Sequence, residues 1–160
     1  MNPVLLATDG SPTAEKATET AIELARLLDT ELVVATVWNI PYPAVGLAPA
    51  PVTADVARLG EEEARRTAAD AAARAMEAGL ESRMLVLRGM PVEELCLAAE
   101  RYNPRFLVIG SHGRGAMKRA FFGSVSTGVL HHAKCPVLVV RGEGVMATAA
   151  TNGARKHVHA

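Results

Sequence analysis

No sign of charge dominates this chain: Lys and Arg number 17, Asp and Glu number 17, and the formal net charge at pH 7 is zero. DNA, RNA or an anionic membrane surface therefore meets no global attractive field, and any anion site has to be local. Aromatic residues are few, 4% of the chain. Trp38, Tyr42, Phe106, Phe121 and Phe122 are scattered without interleaved basic residues, which excludes the stacking platform of a nucleic-acid binder. The two cysteines, Cys96 and Cys135, show no CxxC spacing and no histidine at metal-ligand spacing, so they are read as buried or half-buried free thiols. No apolar run reaches the length that a bilayer demands, and the first residues arrive at Asp9 too soon for a signal peptide. A cytoplasmic protein without membrane or nucleic-acid partners is expected.

Several nucleotide motifs are missing too. There is no GxxxxGK[ST] loop, no GxGxxG after the first strand, no SGG-type pyrophosphate loop, and no second carboxylate beside Asp9 at a strand end to hold a catalytic metal. No catalytic residues and no protein-held metal are expected. The histidine pair His157 and His159 reads as solvated, and His131 and His132 read as helix-end or packing residues.

What is present fits one globular domain. The 160 residues are 49% hydrophobic and 21% charged, outside the compositional range of disordered chains. Pro3 to Thr8 is an apolar run without alternation, as in a strand covered on both faces. Asp9-Gly10-Ser11-Pro12 then supplies turn residues and a proline for the first helical position, and Ala17, Ala21, Leu24, Ala25 and Leu28 follow with helical spacing. Glu31 to Trp38 is a second strand. Four prolines make Asn39 to Thr53 a loop, and Ala54 to Met76, rich in Ala, Glu and Arg, makes a long helix that Gly79 can stop. Ser82 to Leu87, a helix carrying Val92, Leu95, Cys96 and Ala99, Arg105 to Ile109, a helix over Ser124 to Ala133, and Pro136 to Val140 complete the pattern βαβαβαβαβ. Strict alternation predicts a doubly wound, Rossmann-like α/β domain: a five-stranded parallel sheet with helices on both faces. Residues 1–141 form that domain, and 142–160, which lose all periodicity, are expected to be a flexible tail.

In such sheets ligands sit beyond the carboxyl ends of the strands. Two loops have that position here, Asp9-Gly10-Ser11 and the glycine-rich Gly110 to Gly123. Their glycines can expose backbone amides, Ser124 opens a helix whose amino end favours an anion, and Ser126 adds a hydroxyl. Arg114, Lys118 and Arg119 form the one dense cationic cluster, a local charge in a neutral chain.

The spacing Gly110, two residues, Gly113, nine residues, Gly123-Ser124 resembles the ATP-binding motif of the universal stress protein family. The opening VLLATDGS, the Gly89-Met90-Pro91 turn and the closing HHAKCPVLVVR extend the resemblance over Pro3 to Arg141. It implies the strand order 3-2-1-4-5 and ATP, accompanied by Mg2+, as the ligand. It also implies that Asp9 contacts the adenosine part, that Val37 lines the adenine pocket, and that Gly110, Gly113, Arg114, Gly123, Ser124 and Ser126 surround ribose and phosphates. A homodimer through Pro136 to Val140, the outermost strand in that order, is implied as well. The function that follows is a nucleotide-dependent stress-response module, hydrolysing ATP at most slowly. The alternatives are a ligand-free dimerisation domain and a slow ATP hydrolase of the adenine-nucleotide α-hydrolase group.

Overall fold

The apolar runs become strands because a parallel strand covered by helices on both faces can be apolar at every position. In the computed structural model, which describes residues 2–39, 54–113, 122–142 and 144–148, β1 (Val4–Ala7) is buried throughout and β2 (Leu32–Trp38) is buried over its first five residues. β3 (Ser82–Arg88), β4 (Phe106–Gly110) and β5 (Val137–Arg141) complete a parallel set in the order β3-β2-β1-β4-β5. This is the expected doubly wound sheet.

Side chains of successive residues point to opposite faces, and the core divides accordingly. Val4, Leu6, Leu32, Val34 and Val108 face α1 (Pro12–Leu27) and α2 (Ala54–Glu77), which meet them with alanines: Ala17, Ala21 and Ala25 from α1, and Ala68, Ala71, Ala72 and Ala75 from α2. Small side chains let both helices lie close to the sheet. Leu5, Val33, Leu107, Ile109 and Val139 face α3 (Pro91–Tyr102) and α4 (Ser124–His132), which add Leu95, Ala98, Ala99 and Val129. Cys96 and Cys135 belong to this second layer as free thiols, and burial pushes both above the ordinary thiol range.

Helix ends follow their sequence signals. Ser11 caps α1, its Oγ accepting the Ala14 amide at 3.3 Å, with Pro12 next to it. Gly79, at φ +82°, takes the left-handed conformation that ends α2.

The structure departs from expectation at the carboxyl end. Residues Gly144–Thr148 form a sixth strand, β6, antiparallel to β5, from Val137 opposite Thr148 to Arg141 opposite Gly144. Among the described residues the sheet thus has six strands, and β5 is not its edge. The segment GVMAT carries no apolar alternation, so side-chain periodicity gave no sign of a strand whose visible interaction is backbone pairing. The Pro-rich segment 40–53, the cluster Arg114, Lys118 and Arg119, and the remainder of the expected tail lie outside the described residues.

Candidate functional site

The carboxyl ends of β1, β2 and β4 open into a cavity of about 450 Å³. Asp9, Val37, Gly110, Gly113, Gly123, Ser124 and Ser126 all line it. Seven of the eight residues singled out from the sequence are therefore brought together, and the eighth, Arg114, lies outside the described residues.

Backbone geometry builds the first wall. Gly10 sits at φ +73°, a value that turns the chain sharply after β1 and that a residue with a Cβ rarely adopts. The turn lets Asp9 Oδ1 accept the Ser11 amide at 3.0 Å, holding the carboxylate at the cavity. The buried Ser11 hydroxyl accepts from Ala14 and donates to the His112 carbonyl at 3.4 Å, which ties the loop after β1 to the loop after β4.

The second wall is organised by Ser111, which is buried. Its amide donates to the Val140 carbonyl at 2.8 Å, and its carbonyl accepts the Gly123 amide at 2.6 Å and the Ser126 hydroxyl at 3.0 Å. The amino end of α4 is thereby drawn against the end of β4. The Ser126 hydroxyl also lies 3.0 Å from the Gly123 carbonyl, so its proton is directed at backbone acceptors. Ser126 is 2% exposed, and its geometry is that of a brace rather than of the ligand donor expected from the sequence. Ser124, in contrast, is exposed at the start of the helix.

Three helices start at the cavity, and they differ in a way that matters: α3, from Pro91, has no side-chain cap but carries Glu93 and Glu94 in its first turn. α1 has its cap, Ser11. α4 begins after Gly123 with no side chain capping it among the described residues, and its first turn carries no acid. Unsatisfied amides and the positive end of the helix dipole therefore face the cavity, which is the arrangement that receives an anion.

None of the three motif glycines is among the glycines with positive φ, and at Gly110 and Gly113 it is the small size of glycine that the surroundings use. A Cβ on Gly110 would lie 3.1 Å from the Ala14 nitrogen and the Thr13 carbonyl carbon, so this glycine lets α1 cross β4 closely. A Cβ on Gly113 would lie 2.6 Å from Asp9 Oδ2. That volume is occupied by the protein's own carboxylate.

Sequence reasoning missed the third wall. Pro91 and Leu95 of α3, Ile109 and Phe122 give the cavity an apolar side. The Gly89-Met90-Pro91 turn and the periodicity of Leu95 placed these residues on an element, but not beside Asp9. His112, left outside the expected site, also lines the cavity, its Nδ1 3.0 Å from Ser111 Oγ. Among the described residues no group of three or more His, Cys, Asp or Glu side chains could hold a metal, and no helix is long and apolar enough to cross a membrane.

A parallel α/β sheet whose strand ends and helix starts surround a cavity defines a domain of the doubly wound class. The chain belongs to the Universal stress protein family, whose model matches residues 1–141. It is 30% identical over 138 residues to Universal stress protein MJ0531 of Methanocaldococcus jannaschii, an alignment covering 86% of this chain and 81% of that protein. Among solved structures it resembles the universal stress protein from Archaeoglobus fulgidus in complex with dAMP, with 26% identity, a TM-score of 0.65, and coverage of 88% of this chain and 98% of that one. It equally resembles a universal stress protein in complex with cAMP, with 26% identity, a TM-score of 0.65, and coverage of 87% and 96%.

Proposed function

We propose that this chain binds ATP in the cavity and serves as a nucleotide-dependent regulatory module of the stress response in the cytoplasm. The observation that carries the reading is the uncapped start of α4 in the same cavity as the Asp9 carboxylate and an apolar wall. A nucleotide has matching parts: phosphates for the helix end, hydroxyls and an amine for the carboxylate, and a flat base for the apolar side. Charge fixes the direction. Asp9 would repel a phosphate placed beside it, so the adenosine lies toward Asp9 and Val37 and the phosphates toward Gly123 and Ser124. The cavity volume falls within the range of small-ligand sites. The family, and relatives crystallised with dAMP and cAMP, point to the same ligand class.

Mg2+ enters as the counter-ion of the triphosphate, since no cluster of protein carboxylates offers it a site among the described residues. Turnover of ATP, if any, is slow. Pairing of two copies through Pro136 to Val140 belongs to this reading only for a chain whose β6 has left that edge.

Calorimetric titration with ATP, GTP and adenosine, each with magnesium, tests the proposal. ATP is expected to bind saturably, at least tenfold more tightly than GTP, because the helix end reads phosphate and only the other walls read the base. Equal affinity for ATP and GTP removes the adenine assignment. Absence of saturable binding leaves the ligand-free interaction domain, and rapid release of AMP and pyrophosphate leaves the hydrolase.

A further inference from the structure

Side chains alternate along β2, so that Ala35 and Val37 line the cavity described above while Thr36 belongs to the face that carries Val34 and α2. A second cavity, of about 340 Å³, opens on that side, between the end of β2 and the first half of α2. Asp9 and Val37 border both cavities, whereas Thr36, Trp38, Gly60, Glu63 and Thr67 border the second alone.

Thr36 is the reason to look there. It is 4% exposed, and among the described residues its buried hydroxyl has no hydrogen-bond partner. A folded interior rarely leaves such a group unpaired, because the hydrogen bonds it made to water are lost without replacement. Around it stand the carboxylates of Asp9 and Glu63, the Thr67 hydroxyl and the Trp38 ring, and among the described residues no Lys, Arg or His lines the cavity. Gly60, inside α2, keeps the ring approachable: a Cβ there would lie 3.2 Å from Trp38 Cε3. The ring already takes one cation, the Arg88 guanidinium 5.4 Å from its centroid, although Arg88 is not among the residues lining the cavity.

We propose that this second cavity binds a small aliphatic amine. The two carboxylates repel an anion. A bare divalent cation needs a cage of oxygen ligands, and among the described residues no group of three or more His, Cys, Asp or Glu side chains offers one. A primary ammonium uses the walls as they stand, donating to carboxylate and hydroxyl oxygens while its methylenes lie along the Trp38 ring. The volume lies at the small end of ligand sites, which suits a chain of a few carbons. Whether the first cavity holds a nucleotide does not enter this argument.

Trp38 is the only tryptophan of the chain, so its fluorescence reports on this cavity directly. The test titrates the full chain with putrescine as the probe, against butanediol, which has the same length without charge, and against sodium chloride at matched ionic strength. A saturable change at Trp38 is expected with putrescine alone. Thr36→Val keeps the branched shape of the strand residue and removes the hydroxyl; it should leave the far-ultraviolet circular dichroism unchanged and weaken the amine about tenfold, the loss of one hydrogen bond to a charged group. Glu63→Gln, on an exposed position of α2, should weaken it as well and tests the site without touching the core. No saturable change at millimolar putrescine overturns the proposal and leaves a bound water as the partner of Thr36. An equal response to butanediol or to salt overturns it too, as does putrescine binding that neither substitution weakens.

Discussion

At the scale of single residues, Asp9 and Gly113 act as one unit. The carboxylate fills the volume that any side chain at position 113 would need. Gly113→Ala should therefore push the Asp9 side chain aside at a cost of about 0.5–1.5 kcal/mol, the strain of an off-rotamer side chain, besides weakening any ligand that depends on Asp9. Most of that loss should disappear when Asp9→Ala is made in the same chain, since the obstructing carboxylate is gone. Urea unfolding of the two single variants and the double variant measures the coupling. Strictly additive effects would show that the two positions do not meet. Ser126 teaches a related lesson. Its hydroxyl could be foreseen at the site but not its direction, because a serine near a helix start can serve a ligand or the backbone, and only the position of the Ser111 carbonyl decides.

Among the elements, the sharpest contrast is between the capped α1 and the uncapped α4. Ser11→Ala removes the cap and also the tie to the His112 carbonyl, so it should cost about 1–2 kcal/mol of stability, read as a lower midpoint in thermal or urea unfolding. A variant as stable as the parent would mean that the Ser11 contacts are not maintained in solution. The order of the elements was legible in the sequence because buried parallel strands and amphipathic helices leave plain marks: the run Val4–Ala7, the alanine spacing of α1, and Gly79 after α2. The strand order and the site rested on the glycine spacing and its family resemblance. The apolar wall from Pro91 and Leu95 was not legible, because their periodicity reports that a face is buried but not which loop it meets. Nor was β6, whose pairing rests on backbone groups that every residue of GVMAT possesses alike.

For the whole molecule, neutrality and the uncapped helix belong together. A chain of zero net charge attracts no polyanion over a distance, yet one helix start and its amides can hold a small anion at contact range. On the proposed reading, that helix start receives the phosphates of a single small ligand. The account is tested most directly by following backbone amides in ¹⁵N-labelled protein by NMR while ATP and magnesium are added. Saturable shifts are expected at Asp9, Gly113, Gly123, Ser124, Val125 and Ser126, which line the cavity, and little change along β3 at the far edge of the sheet. Unchanged spectra at millimolar ATP, or saturable shifts that bypass the start of α4, would contradict it.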